Sequence, residues 1–393
     1  MLLSSLAFIL AVLSVVLVDI TNAMYANYLT QVGAFFGAEQ TVTQFTVSCE
    51  MLGYSTSGLI YGPMSDRHGR RPVMLFGMAV FLITGLWCYF ANSITVLIIA
   101  RFFHGVGAGV SAVVGYAIIC DTYSSEECSK RISLMYMCAV TGSAFIAPGM
   151  SSYMIEHGYG WRTVFVVSIV LSAALLSWLV CKLPETISER RAGCNPITIV
   201  SGYVALLRNR RFLAYCFIKV LTMTYTLASV GTLPFVFIEG MGLQAKYYGY
   251  VAAIGGVSFI AGTMANVKLV GRFGMRRMIA VGLVLTVASD VAAIMADYYF
   301  ALTPVLVEAI WIPSSFCISL IASNGAVLAF REVSNKGAAS AFIIFCQTVF
   351  GVVGMYVVGK FYNGTIVPIC LLTFTCCGIS SVILCVCTPR SEA

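Results

Sequence analysis

Six ionisable side chains lie inside long apolar segments of this 393-residue sequence. If these segments cross a membrane, a charge at mid-bilayer costs at least about 2.5–3.5 kcal/mol, so each side chain needs a water-filled cavity or a partner. Carboxyl groups placed in this way could bind and release protons. Basic groups could pair with them or with an anionic ligand. The six residues are Asp19, Glu50, Arg101, Lys219, Asp290 and Glu308.

Two of the carboxyl groups are the main candidates for proton binding. Asp19 lies three residues before Asn22, so the two side chains share one face of a helix. We interpret Asp19 as a cavity-facing acid that titrates, with a structural hydrogen bond to a neighbouring helix as the alternative. Glu50 could titrate or could be a packed, protonated acid, because burial disfavours its charge and a nearby cation favours it.

Arg101 keeps its charge at physiological pH, so it must find an anion or carbonyl groups as partners. It could take part in proton coupling or form a static salt bridge. His104 shares its helix face and is interpreted as a packed residue. Asp290 is interpreted as structural, and Glu308 is given no role.

Five residues are predicted to contact a ligand. Lys219 would suit an anionic or zwitterionic substrate, although its ammonium group could equally reach the membrane surface. An amide and three hydroxyl-bearing rings complete the predicted cavity: Asn22, Tyr25, Tyr116 and Tyr225.

Other kinds of chemistry have little support in the sequence. There are 15 cysteines, most of them in apolar segments, and none is arranged with histidine at metal-ligand spacing. We interpret them as small packing residues rather than disulfides, redox groups or metal ligands. The motifs of serine hydrolases, P-loop nucleotide-binding proteins and zinc peptidases are missing, so no enzyme activity is predicted.

The composition indicates which elements position these side chains. Hydrophobic residues make up 60% of the chain and charged residues 10%, with a mean hydropathy of +0.93. A soluble protein keeps roughly a quarter of its residues charged, so a helical membrane protein is predicted. Apolar runs of roughly 20 residues, the length that spans a bilayer, predict twelve spans at about 4–30, 41–62, 73–91, 94–120, 131–155, 162–182, 212–238, 246–270, 277–296, 300–329, 337–360 and 365–387.

Lysine and arginine are distributed very unevenly between the predicted loops. Of the 23 basic residues, 18 fall on one side of the membrane and three on the other. Cytoplasmic loops carry the excess of basic residues, so both termini are predicted to be cytoplasmic. The longest polar segment, 184–211, divides the chain into an N-terminal six-helix half at 1–183 and a C-terminal six-helix half at 212–393.

Several motifs carry a family likeness. The densest charge cluster, residues 62–72, contains two prolines and is predicted to be a short polar turn between helices. Arg101 precedes a glycine-rich run in the fourth span, and Ala147-Pro148 lies in the fifth. These motifs resemble the major facilitator superfamily, most closely its bicyclomycin/chloramphenicol-resistance branch of drug:proton antiporters. Two six-helix halves are also the architecture of that superfamily.

The resemblance implies twelve transmembrane helices, with helices 1, 4, 7 and 10 around a central site. It ties Arg101 to proton coupling and Ala147-Pro148 to the antiporter motif. It also implies a latch between the cytoplasmic ends of the two halves, with an acid near a helix N-terminus, where negative charge is favoured. The latch residues would be Gly62, Asp66, Arg67, Gly69 and Arg70.

The first span departs from the branch. Ala23 stands where the branch has an aspartate, and Asn27 and Thr30 stand where it has prolines. An importer of an amino acid or another polar metabolite is therefore an open alternative, which Lys219 also favours. A membrane receptor or scaffold that does not transport is a second alternative.

We predict a multi-pass transporter of a bacterial-type inner membrane, which exports small amphipathic compounds in exchange for protons by alternating access. Asp19, Glu50 and Arg101 would couple transport to the proton gradient. The expected partners are a small-molecule substrate, protons and the lipid bilayer. We expect a monomer that uses no cofactor, metal or nucleic acid.

Overall fold

The computed structural model describes residues 2–123, 125–187, 204–300, 302–333 and 336–386. Regular structure in these ranges is helical, which confirms the predicted fold class, and residues 204–208 form one isolated helical turn. The longer helices are α1 (Leu2–Ala26), α2 (Leu29–Phe36), α3 (Gln40–His68), α4 (Arg70–Tyr89), α5 (Ile94–Thr122), α6 (Ser125–Thr141), α7 (Ala147–Glu156), α8 (Arg162–Lys182), α9 (Arg210–Pro234), α10 (Ala245–Phe273), α11 (Met275–Tyr299), α12 (Pro304–Arg331), α13 (Lys336–Lys360) and α14 (Val367–Val386).

Within the described residues, ten helices are long and apolar enough to cross a membrane. They carry exposed large apolar residues such as Ile83, Val170 and Val284, which is the surface that lipid requires. α3 falls outside the ten because it is rich in polar residues, and those that it buries include Thr46, Ser48 and Glu50. The run from α6 to α7 is also outside the ten. The number of twelve spans therefore stays a prediction.

The chain forms two compact units, Met1–Asn195 and Pro196–Ala393, which divide inside the predicted central segment 184–211. In the first unit, α4 and α5 form the centre of the core, with Phe81 and Val110 completely buried. In the second unit the core is centred on α9, with Phe212 and Ile218 completely buried.

The two helices around the charged loop are longer than predicted. α3 continues through Pro63 to His68, and α4 begins at Arg70, so the turn consists of Gly69 alone. The predicted polar turn over residues 62–72 is wrong for two reasons. Helices in a membrane tolerate an internal proline, and Pro72 lies in the first turn of α4, where amide protons have no helical partner in any case.

Glycine makes this sharp turn possible. Gly69 has a φ of +105°, and Gly274, between α10 and α11 in the second unit, has a φ of +78°. Residues that carry a Cβ atom rarely adopt such backbone angles, whereas glycine adopts them readily. Each unit thus joins two long helices through a single glycine.

The first and fifth predicted spans are interrupted. α1 ends at Ala26 rather than at residue 30. The fifth run contains a π-helical turn, Gly142–Ile146, in which the amide of Ala147 donates to the carbonyl of Gly142. Pro148 follows in the first turn of α7, where its missing amide proton is tolerated. The predicted helix-5 motif therefore lies directly after a π-helical turn, within a continuous helical run from α6 to α7.

Candidate functional site

Close packing of α3 against α5 builds the first part of the site. A Cβ atom on Gly53 would lie 2.0 Å from the carbonyl oxygen of Phe102, and one on Gly105 would lie 1.9 Å from the carbonyl oxygen of Glu50. No real Cβ atom fits at such distances, so both glycines are needed for the two backbones to touch. The contact places Glu50 of α3 opposite Arg101 of α5.

Glu50 and Arg101 form a buried ion pair, with side chains 3% and 2% exposed. An Nη2 hydrogen of Arg101 is donated to Oε2 of Glu50. Nδ1 of His104 lies 3.1 Å from Oε1 of Glu50 and 3.5 Å from Nη1 of Arg101. The carboxylate can only accept, so the shorter contact requires a proton on Nδ1 of His104, which donates to Glu50. Arg101 can only donate, so it forms no hydrogen bond with that protonated nitrogen. His104 therefore belongs to the charged cluster and is not merely a packed residue.

Helix α1 supplies the other polar partners. With its amide nitrogen facing the carboxylate, an orientation assigned from the hydrogen-bond network, Asn22 donates to Oε1 and Oε2 of Glu50 at 2.5 and 3.2 Å. The ring centre of Tyr25 lies 4.0 Å from Cζ of Arg101, at cation–π distance. The Tyr25 hydroxyl donates to Oγ1 of Thr46 at 2.8 Å.

Two aromatic rings pack against the cluster. The ring of Phe81 stacks on His104 with centroids 4.1 Å apart, and Phe165 lies 5.9 Å from Cζ of Arg101. Nε of Arg101 and Nε2 of His104 find no hydrogen-bond partner in the described residues. The site thus holds one carboxylate, one permanent cation and one imidazole in a buried setting, where electrostatic interactions are strong. A proton added to Glu50 or His104 would change the charge balance directly.

Three other predicted site residues lie outside this cluster. Asp19 is partly buried one turn before Asn22 and forms no ion pair in the described residues. Tyr116 packs beside the apolar group of α1, α5 and α6. Lys219 is partly buried beside Gly325 of α12. Tyr25 was predicted to line a cavity, but it is completely buried and packs on Arg101 instead.

A second charged cluster lies at the Gly69 turn, entirely within the first unit. Nη1 of Arg70 lies 2.5 Å from Oδ1 of Asp66, and its Nε lies 2.8 Å from Oδ2 of Asp121 on α5. Arg67 is exposed. These contacts tie the end of α3, the start of α4 and the end of α5 together. The proposed role of Gly62, Asp66, Arg67, Gly69 and Arg70 as a latch between units stays a prediction.

Glu185, rather than Asp66, occupies the helix N-terminus at this turn. Its Oε1 accepts the amide of Arg70 at 2.8 Å, and its Oε2 accepts the amide of Arg71 at 3.4 Å. Both amides belong to the first turn of α4, where a carboxylate is favoured. The expectation for Asp66 is therefore wrong, because α3 extends to His68 and places Asp66 in its last turn.

Sequence reasoning missed Glu185 and Asp121, and it undervalued His104. One signal was available for Glu185, since an acid directly after the proline that ends the sixth apolar run is free to fold back. Asp121 carried a similar signal as a lone acid at the end of the fourth run. Their common partner, Arg70, cannot be read from spacing, because the contacts join residues 51 and 115 positions apart.

Comparison with known proteins adds to this geometry. The chain is 28% identical over 272 residues to YdgK of Bacillus subtilis (strain 168), an uncharacterised MFS-type transporter, and the match covers 69% of the chain and 66% of YdgK. It is 31% identical over 272 residues to the multidrug transporter MdfA of Yersinia pestis bv. Antiqua (strain Angola), covering 66% of the chain and 64% of MdfA. The chain thus spans less than two thirds of the length of these relatives.

Solved structures agree on the fold. A crystal structure of a D-xylose-proton symporter superposes with a TM-score of 0.77 at 15% identity, covering 98% of each chain. The family model of the Major Facilitator Superfamily matches residues 7–355. Transporters of this family use no bound cofactor. The chain belongs to the Major Facilitator Superfamily and is a multi-pass membrane protein.

Proposed function

We propose that this protein exports small amphipathic compounds in exchange for protons. The observation that carries the proposal is the buried cluster of Glu50, Arg101 and His104, which joins α3 and α5 and takes a hydrogen bond from Asn22 of α1. When the carboxylate of such a buried ion pair binds a proton, the local charge changes, and this change can favour a different conformation of the transporter.

The proposed mechanism follows from charge balance. With Glu50 ionised, its charge neutralises Arg101 and holds α3 against α5. A proton on Glu50 removes that charge, while Arg101 keeps its own. The cation must then find another anion or water, so the two protonation states favour different arrangements of the helices. A substrate that binds one arrangement better shifts the same equilibrium, which is alternating access. Asp19, one turn from Asn22, is the proposed route by which protons reach the cluster.

The names of the relatives support the choice of substrate class. MdfA is named a multidrug transporter, and it shares 31% identity with this chain over the matched segment. We extend from it the expectation of amphipathic substrates of varied shape. The half-buried Tyr116 would provide aromatic surface near such a substrate.

Import of a polar metabolite is the second candidate. Lys219 favours it, because this amine is partly buried and forms no ion pair in the described residues. A cation held in this way suits an anionic or zwitterionic substrate. The receptor or scaffold alternative has no comparable support, since the family and the relatives are transporters.

We also propose a cytoplasmic-membrane location, a monomer and a topology with both termini in the cytoplasm. The support for the topology is the distribution of basic residues, 18 on one side and three on the other. Arg162, one of the three, donates to the carbonyl groups of Tyr89 and Ala91 at 3.0 and 2.9 Å, so it has a structural role at that membrane surface.

The test is transport by purified protein in liposomes that contain a pH-sensitive dye. A fluorescent lipophilic cation, called the substrate dye below, is added outside vesicles with an acidic lumen. The pH indicator records the release of protons from the lumen, and the uptake of the substrate dye is recorded at the same time. The proposal predicts that each requires the other in the wild type. Glu50→Gln is expected to abolish proton release. Glu39→Gln, a change at an exposed carboxyl just before α3, is the matched control and is expected to behave as the wild type.

Two results would contradict the proposal. Dye movement in the wild type without any proton release would remove the coupling. Normal coupling in Glu50→Gln would remove the role of the cluster. Accumulation of an amino acid or sugar acid that is driven by inward proton flow would establish the import alternative instead.

A further inference from the structure

The C-terminal unit contains buried polar atoms that the proposed mechanism does not use. Six of them have no hydrogen-bond partner of normal geometry in the described residues, and four of the six lie close together: Tyr225 Oη, Thr286 Oγ1, Asp290 Oδ2 and Trp311 Nε1. The four side chains are between 0% and 7% exposed. Buried polar groups are nearly always hydrogen-bonded, so each orphan calls for an explanation.

These four side chains meet at one place. Thr286 and Asp290 are four residues apart and share a face of α11. Tyr225 reaches them from α9, where its hydroxyl lies beside Thr286 and within electrostatic range of Asp290. Asp290 also faces the indole N–H of Trp311 on α12 and the thiol of Cys370 on α14. Four helices thus contribute to one polar site.

The surroundings of Asp290 contain no compensating cation. No Lys, Arg or His in the described part of the chain forms an ion pair with it. An unpaired carboxylate within an apolar bundle is costly, and the neutral acid avoids that cost. The ionisable groups near Asp290 or near the thiol of Cys370 are listed here together with that thiol: Tyr225, Asp297, Cys317, Cys370 and Cys377.

We propose that Asp290 is a second proton-binding site, located in the C-terminal unit, with water as the shared hydrogen-bond partner of Tyr225, Thr286 and Trp311. The donors and acceptors suit this ligand. Water needs two to four polar partners and a roomy polar site, whereas an indole N–H cannot bind a metal cation. The claim that protonation of Asp290 drives transport rests on the proposed function. The claim that Asp290 binds a proton does not depend on it.

The first experiment measures proton occupancy without transport. Infrared difference spectra of the purified protein in detergent are recorded for the wild type and Asp290→Asn at neutral pH. The wild type is expected to show a carboxylic-acid C=O band that shifts in heavy water and is lost in Asp290→Asn. Glu239→Gln, at an exposed carboxyl of the same unit, is the matched control and should keep the band.

A second substitution keeps the test informative if Asp290→Asn does not fold. Thr286→Val removes one polar partner at constant shape, and it is expected to shift the band without removing it. A spectrum in which the variants and the wild type are identical in the acid region would overturn the proposal. A band that disappears on adding sodium chloride would also overturn it, because it would identify a sodium site.

The transport experiment then addresses coupling. In liposomes, Asp290→Asn is expected to lose dye accumulation driven by a pH gradient while it keeps exchange of dye between the two sides at equal pH. Unchanged gradient-driven accumulation would overturn the role in driving transport. If the wild type itself moves no dye, the proposed function fails, and the infrared result still decides whether Asp290 binds a proton.

Discussion

The two units bring corresponding helices together in the same way and place different chemistry across the contact. In the first unit, a Cβ on Gly53 would meet the carbonyl of Phe102 at 2.0 Å; in the second, one on Gly262 would meet that of Phe316 at 2.1 Å. In the first unit, Glu50 lies three residues before the glycine, and Arg101 directly precedes the residue whose carbonyl it meets. The corresponding residues in the second unit are Phe259 and Ser315.

This comparison separates the scaffold from the function. The glycine contact is repeated, so it is the means by which either unit holds two helices together. The ion pair is present on one side only. We infer that charge at this contact is not needed for the fold and that the first unit carries it for transport. Five predictions test that inference.

The largest effect is expected from Arg101→Ala. Removing one partner of a buried ion pair leaves an uncompensated charge on Glu50, at a cost of about 3–5 kcal/mol. Thermal unfolding in detergent should show the loss, and liposome transport should be abolished. Wild-type stability in this variant would mean that the pair is not buried in the functional protein.

The double substitution Glu50→Phe with Arg101→Ser copies the second unit's residues into the first. Because an apolar replacement of a buried ion pair is often neutral or stabilising, we expect the protein to be more stable than Arg101→Ala. Proton-coupled transport should nevertheless be lost. If the double variant still released protons with substrate, the cluster would not be the coupling site.

Gly53→Ala and Gly262→Ala probe the shared scaffold. Each adds a methyl group against a backbone carbonyl, and overpacking of this kind costs about 1–3 kcal/mol. The two losses should be similar in a thermal unfolding assay. Gly378→Ala on α14, where nothing lies within 4 Å of the added atom, is the control. A large loss at only one of the two contacts would show that the scaffold is not equivalent.

The two glycine turns offer a smaller contrast. Alanine at Gly69 or Gly274 is strained by the positive φ, which costs of order 1–3 kcal/mol. At Gly69 the added atom would also lie 2.4 Å from Oε2 of Glu185, whereas at Gly274 it meets nothing within 4 Å. Gly69→Ala should therefore lower the unfolding temperature more, and Gly69→Ala with Glu185→Ala should recover part of the difference.

The smallest effect on stability is expected from Asp66→Asn. The carboxyl is 29% exposed and its pair with Arg70 is near the surface, where ion pairs contribute about 0–1 kcal/mol. We expect normal membrane insertion, checked by the amount of protein in the membrane fraction, with reduced transport. Wild-type transport would limit this loop to a role in membrane orientation.

Much of the fold could be predicted because it depends on composition. Apolar runs and the uneven distribution of basic residues are properties of single segments, and they indicated the helices without any knowledge of contacts. The same is true of Arg101, which is conspicuous as a charge within an apolar run. The family resemblance, confirmed at the level of the superfamily, came from short local motifs, chiefly the one at residues 62–72.

The site could be predicted only in part, because its geometry depends on contacts between distant segments. Glu50 and Arg101 were each identified, yet their pairing across 51 residues depends on how α3 and α5 are rotated. Proline rules for isolated helices led to the wrong end for α3, and this error in turn misplaced Asp66. Asp290 was interpreted as structural, and its polar neighbours on three other helices, Tyr225, Trp311 and Cys370, cannot be read from the spacing of residues in the sequence.

The π-helical turn before α7 changes which residues share a face along that helical run. An inserted residue advances the angular position of everything after it by about 100°, since an α-helix turns 100° per residue. Ser151, whose hydroxyl oxygen accepts a hydrogen bond from the amide of Asn27 at 2.5 Å, owes its orientation toward α1 to that offset. Deleting one residue from 142–146 would therefore leave the composition of the helix almost unchanged and rotate its second half away from its partner.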